Sequence, residues 1–216
     1  MGNWLTLVCT TVILSLLIAL LLIAFQTIRV SCNAHMNDPL DLSGQKILFL
    51  GPADTKGARE VDTLAYDVVV ITNNMVQIFD RPHKTLLVVA NDYFSTNHTD
   101  RIVTRAPDAV LCTTANGVNA ILSVSGAPGV RQMPTPSVAG TPLGLSFFLN
   151  YAIQYPFASL HITGVTFYSG GHQSYVDGYG LLPMADHHNI EANKEYARAL
   201  LRRYKNITID FPLPLV

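Results

Sequence analysis

KILFLGPADTKGAREVDTLAYDVVVITNN, residues 46–74, decides how this chain is read. KILFL (46–50) is a short apolar run without polar alternation, the pattern of a strand buried on both faces. It stops at Gly51-Pro52, and a second run, DVVVIT (67–72), ends in Asn73-Asn74. TLLVVA (85–90), DAVLCT (108–113) and SLHITGV (159–165) repeat the theme, each bounded by Gly, Asn, Asp or Pro. Between and after them, LGLSFFLNYAIQY (143–155) and EANKEYARALLRRY (191–204) carry apolar residues at helical spacing, and the second runs out into a short strand. The alternation predicts an α/β fold, a Rossmann-like parallel sheet with helices on both faces. In such sheets ligands bind beyond the carboxyl ends of the strands, so the residues that follow each strand are the candidates for a site.

Outward from this body, residues 4–25 (WLTLVCTTVILSLLIALLLIAF) carry no charge. At 1.5 Å per residue this segment spans about 33 Å, enough to cross a bilayer. It is expected to be a transmembrane signal-anchor after a tail at 1–3, with a stem at 26–40 and one domain from 41 to 216. A cleaved signal peptide is the competing reading, with Cys32 and Ala34 forming a small-x-small site. Asn97-His-Thr and Asn206-Ile-Thr are glycosylation sequons, which matter only in a secretory lumen. The expectation is a single-pass type II membrane protein of the Golgi or secretory lumen. Met1-Gly2 also opens a loose myristoylation pattern, which an adjacent spanning helix makes redundant.

A formal charge of −1 without a run of Lys or Arg argues against a nucleic-acid partner, because phosphate neutralisation needs clustered cations. Arg198, Arg202, Arg203 and Lys205 read as the solvated face and last turn of a helix. Cys32 and Cys112 are the cysteines beyond the anchor; they make no zinc site but would permit one disulfide in an oxidising lumen.

The strand ends are polar. Gly51 and Gly57 would let backbone amides face a phosphate at a helix start, and Asn73, Asn74 and Asn91 gather amides where a base or ribose could be hydrogen-bonded. Thr141-Pro142-Leu143-Gly144 stands at the entry to an apolar helix, whose open N–H groups attract an anion. A strand ending in Gly164 leads to Tyr168 and to a glycine-rich loop with His172 and Tyr175, and His187-His188 precede the last helix.

In order and spacing these pieces resemble the CMP-sialic acid-dependent sialyltransferases, both the eukaryotic Golgi family and a bacterial family. FLGPADTKGAREVDTLAYDVVVITNN resembles their first long motif, and GTPLGLSFFLNYAIQYPFASLHITGVTFY their second. GGHQSY resembles the short third motif, and HHNIEANKE the last, a His followed by Glu. The chain departs from the family in having Gly51-Pro52 where Gly-Asn is usual, in lacking the eukaryotic cysteine pair, and in separating His187 from Glu191 by only three residues.

The resemblance implies an inverting, metal-independent glycosyltransferase that moves sialic acid from CMP-sialic acid to a hydroxyl of a glycoprotein or glycolipid glycan, with no cofactor. Of the adjacent histidines it implies one as general base, His187 ahead of His188, with Glu191 in support. His172 and Tyr175 would stabilise the departing phosphate, while Gly51, Asn73, Asn74, Asn91, Thr141, Gly144, Gly164 and Tyr168 would bind the donor. No Asp-x-Asp is present; such carboxylates commonly hold a divalent ion for nucleoside-diphosphate donors, whereas a monophosphate leaving group needs none. The alternatives are a glycosyltransferase for another nucleotide sugar, or a non-catalytic relative that binds nucleotide or glycan.

Overall fold

The computed structural model describes residues 40–169, 176–177 and 187–213. The expected anchor at 4–25 and nearly all of the stem lie outside them, and no helix among the described residues is long and apolar enough to cross a membrane. From Leu42 onward the chain forms one compact unit.

Seven strands build one sheet: β1 (Lys46–Leu50), β2 (Val68–Thr72), β3 (Thr85–Ala90), β4 (Ala109–Cys112), β5 (Gly129–Gln132), β6 (Ser159–Thr163) and β7 (Ile207–Ile209). Their spatial order is β5-β4-β3-β2-β1-β6-β7 and every pairing is parallel. Parallel neighbours need crossovers, and short helices supply them: α1 (Lys56–Glu60), α2 (Met75–Ile78), α3 (Asp92–Asn97), α4 (Thr99–Arg105) and α5 (Ala115–Leu122). After β5 the chain returns across the sheet through α6 (Gly144–Ala152) to β6, and α7 (Ile190–Arg203) then leads to β7. Because the direction of travel reverses at β5, right-handed crossovers place α1–α5 on one face and α6 and α7 on the other.

The core follows the strand period of two. Leu48, Leu50, Val69, Ile71, Val88, Val110 and Cys112 pack with Met75, Val76, Phe79, Phe94, Ile102 and Ile121 from the first set of helices. The alternate strand residues face the other way, and there the rings of Phe49 and Phe148 lie 5.3 Å apart. Side-chain caps start several helices: Thr55, Asn91, Thr114 and Asn189 each accept a backbone N–H from the first turn. At the amino ends of β1 and β2, the Asp67 carboxylate accepts the Lys46 N–H at 3.0 Å and the Lys84 ammonium at 3.0 Å.

The strands expected at 46–50 and 85–90 match to the residue, and those at 67–72, 108–113 and 159–165 are trimmed by one or two residues at their ends. β5 is absent from the sequence reading because GVRQ is a half-exposed edge strand with no apolar run. Cys112 is a free thiol with no exposed surface, in the layer between the sheet and α3–α5. The disulfide to Cys32 that the sequence would permit is not formed at this buried thiol; Cys32 itself lies outside the described residues.

Candidate functional site

β1 is where the winding reverses: β2 lies on one side of it and β6 on the other. In doubly wound sheets the crevice beyond such a switch point is the ligand site. Here it is a cleft partly open to solvent, the concave kind of place that small-molecule sites occupy. Its walls come from the carboxyl ends of four strands and the start of α6: Phe49 near the end of β1 and Pro52 after it, Thr72 ending β2 and Asn73 after it, Asn91 after β3, Gly164–Tyr168 after β6, and Leu143–Leu145.

At the end of β1 the Gly51 N–H donates to the Thr163 carbonyl at 2.9 Å, and the Ala53 N–H to the Gly164 carbonyl at 2.8 Å. The Gly51 amide is thus spent on β6, which corrects the expectation that it faces a phosphate; the glycine serves close packing of two backbones. Pro52, with no N–H, takes the adjoining place on the cleft wall.

Asn73 adopts a left-handed conformation (φ 42°), which Asn tolerates better than most residues. Its Oδ1 accepts the Asn91 N–H at 2.9 Å, and the Asn91 Oδ1 accepts the Phe94 N–H at 2.7 Å to cap α3. With both oxygens engaged in the scaffold, the pair offers a ligand its Nδ2 donors. Asn74 does not line the cleft; it begins α2, and its Oδ1 faces Gln77.

No side chain caps α6 at Leu143, so the backbone N–H groups at Gly144 and Leu145 open on the cleft at the positive end of the helix dipole. Opposite them runs a strained loop. Gly164 (φ 67°), Phe167 (φ 48°) and Tyr168 (φ 61°) all take left-handed conformations, each a cost of about 1–3 kcal/mol for the two aromatic residues. The buried Phe167 ring, 5.6 Å from that of Phe211, anchors the loop. Tyr168 stacks almost parallel on His188, with ring centroids 6.0 Å apart and 17° between planes.

His188 is held twice to the segment before α6. Its backbone pairs with Thr141, and its Nδ1 lies 3.2 Å from the Thr141 carbonyl oxygen. A carbonyl accepts only, so Nδ1 is the donor, which in the neutral ring leaves the lone pair on Nε2. Thr141 contributes this carbonyl to the site's support and does not line the cleft. His187 is exposed in the helical turn just before. Glu191 points along α7, where Lys194 donates to it at 2.7 Å and holds its carboxyl below the usual range.

The residue that the sequence reading missed is Asn193. It has no exposed surface, and its Oδ1 accepts from the Leu143 N–H (2.8 Å) and the Ser146 hydroxyl (2.6 Å). Its Nδ2 donates to the carbonyls of Thr141 (3.3 Å) and Asn189 (2.8 Å). One side chain thereby fixes the start of α7, the start of α6 and the carbonyl that orients His188. A polar residue among the charges of EANKE gives no sign of this; the sole signal is that Asn193 falls on the apolar stripe with Ala197 and Leu200, which are also buried.

His172 and Tyr175 lie outside the described residues. Asn97 and Asn206 are exposed, at the end of α3 and before β7, and their Nδ2 groups donate to the carbonyls of Tyr93 (2.9 Å) and Phe157 (3.0 Å). Among the described residues no three His, Cys, Asp or Glu side chains gather to hold a metal ion.

The fold and its cleft define a doubly wound α/β protein with a cleft at the switch point of a parallel sheet. No family model matches the chain, and neither a curated protein nor a solved structure is found similar to it.

Proposed function

We propose that this chain is a sialyltransferase-like enzyme that transfers sialic acid from CMP-sialic acid to a glycan hydroxyl with inversion. The observation that carries the reading is convergence: Asn73 of the first motif and both the open start of α6 and Gly164–Tyr168 of the second line one cleft, and His188 of the last motif stacks on Tyr168. The Nδ2 groups of Asn73 and Asn91 would hold the nucleoside, and the first-turn amides of α6 the phosphate. As the acceptor oxygen bonds to the anomeric carbon, its proton passes to His188 Nε2, and the bond from that carbon to the CMP phosphate oxygen breaks with its electron pair on CMP. The fixed tautomer and the Tyr168 stack support His188 over His187 as the base. His172 and Tyr175 would add donors to the departing phosphate.

In this reading the body faces the secretory lumen, held by the segment at 4–25, and Asn97 and Asn206 accept glycans. The test is release of CMP from CMP-sialic acid by the full-length chain in detergent, in the presence of EDTA and a glycan acceptor. Turnover that survives EDTA is expected. If UDP- or GDP-sugars raise the melting temperature and CMP-sialic acid does not, the enzyme uses another donor. A second reading, a binder without turnover, is favoured by Pro52, which sets a ring where the family pattern places an Asn; CMP binding with no CMP release would establish it.

A further inference from the structure

Thr72, the last residue of β2, is a polar side chain on an apolar floor. Val69 and Ile71 face the first set of helices, so Val70 and Thr72, one residue out of step, face the side of α6. Thr72 stands opposite Val89 of β3 in the parallel register. The first residue of α6 settles onto this pair: a Cβ on Gly144 would lie 3.5 Å from Val89 Cγ1 and 3.9 Å from Thr72 Cγ2. The Thr72 side chain therefore lies against the uncapped start of α6, on the wall of the cleft.

We infer that Thr72 belongs to an anion subsite of the cleft, its hydroxyl donating to a phosphate oxygen that the first-turn amides of α6 also hold; that this phosphate is the one leaving with CMP rests on the transferase reading above. Only 7% of the residue is exposed, and among the described residues its hydroxyl makes no hydrogen bond. Its oxygen is not sealed within the fold as that of Thr163 is, so a ligand in the cleft can reach it. In such surroundings a hydroxyl without a partner costs stability, and Val, of the same shape, would avoid that cost. A ligand that supplies the missing acceptor accounts for the threonine.

The neighbouring groups decide the kind of partner. The backbone N–H groups of Gly144 and Leu145 are donors at the positive end of a nine-residue helix, which favours an anion and repels a cation. The Thr72 hydroxyl beside them can donate as well. A phosphate oxygen is charged and accepts from several donors at once, so it can take the amides and the hydroxyl together. Among the described residues no Asp, Glu, Lys or Arg lines the cleft. The hydroxyl is then one of a few neutral donors that hold the phosphate.

The experiment is calorimetric titration of the full-length chain in detergent with CMP, cytidine, inorganic phosphate and N-acetylneuraminic acid as separate probes, for the wild type, Thr72→Val and Thr72→Ser. Thr72→Val is expected to weaken CMP and inorganic phosphate on the order of tenfold, as for loss of one hydrogen bond to a charged group, and to leave cytidine unchanged. Thr72→Ser should restore both, and Thr72→Val should melt no lower than the wild type, which a hydroxyl serving the fold alone would not allow. CMP bound equally by the wild type and Thr72→Val overturns the inference and leaves the transferase reading standing. Weakening of cytidine as much as CMP, or of N-acetylneuraminic acid and not phosphate, also overturns it, because the hydroxyl then faces another group. Phosphate binding that falls in Thr72→Val, in a chain that does not bind CMP, sustains the subsite and sinks the transferase reading instead. A chain that binds neither CMP nor phosphate overturns both.

Discussion

Gly51 and Gly164 cross back to back at the switch point: a methyl group on either α-carbon would run into the carbonyl oxygen of the other. Gly164 also has a φ of 67°, a conformation that costs side-chain-bearing residues strain. Gly51→Ala and Gly164→Ala are each expected to destabilise the fold by about 1–3 kcal/mol, as overpacking of a close contact does, with Gly164→Ala the worse for its added backbone strain. Thermal melting of the two variants checks this, and wild-type melting temperatures would refute the close approach.

For the adjacent histidines the expected outcome is asymmetric. His188→Ala should lower the turnover of CMP-sialic acid on the order of 10²–10⁴-fold, the range for a lost general base, with CMP affinity little changed. His187→Ala should cost far less, since that side chain stands in solvent. Steady-state rates of folded variants decide, and an inactive His187 variant beside an active His188 variant would reverse the assignment.

Asn193→Ala should unfold the site from behind. Removing the amide strands the Leu143 N–H and the Ser146 hydroxyl, while the Thr141 and Asn189 carbonyls keep the His188 ring and the Asn193 backbone N–H, and each buried group left unpaired costs about 1–3 kcal/mol. A lower melting temperature is expected together with weaker CMP binding, because the start of α6 loses its tether. Asn193→Asp should not rescue either, as it keeps the acceptor but loses both donors.

Asp67 ties stability to acid. The Lys46 backbone N–H, then the Lys84 side chain, hold its carboxyl below the usual carboxylate range in the folded chain. A group whose pKa is depressed by folding contributes stability above its unfolded pKa of about 3.9, and that contribution is lost as pH falls through the folded value. Melting temperatures of the wild type and Asp67→Asn should therefore differ most at neutral pH and converge in acid. A gap that is constant across pH would assign the loss to shape and not to charge. The carboxylate is partly exposed, so the gap should be modest.

Cys112 should resist modification. Burial first, and the nearby Asp92 second, push its thiol up to about 12, so the thiolate that alkylating reagents need is scarce at pH 8. Peptide mapping after iodoacetamide treatment should find Cys112 unlabelled in the native chain and labelled once it is unfolded. A disulfide-linked peptide containing Cys112 in a non-reduced digest would contradict the buried free thiol.

The sequence by itself determined the parallel α/β class and the strands from β1 to β4 and β6, because a strand buried on both faces must be apolar throughout and shows as a short run in any context. It also pointed to the strand ends as the site, and Asn73, Asn91, Gly144, Gly164 and Tyr168 do line one cleft. The tertiary structure alone decided what each residue does there. Gly51 turned out to serve packing against Gly164, since whether an amide faces a ligand or a neighbouring strand depends on a partner more than a hundred positions away. His188 and not its neighbour meets Tyr168, held by a pairing with Thr141 that is invisible in local spacing. Asn193 reads as one more polar residue on a surface helix until the two helix starts it joins, about fifty positions apart in the chain, are brought into contact.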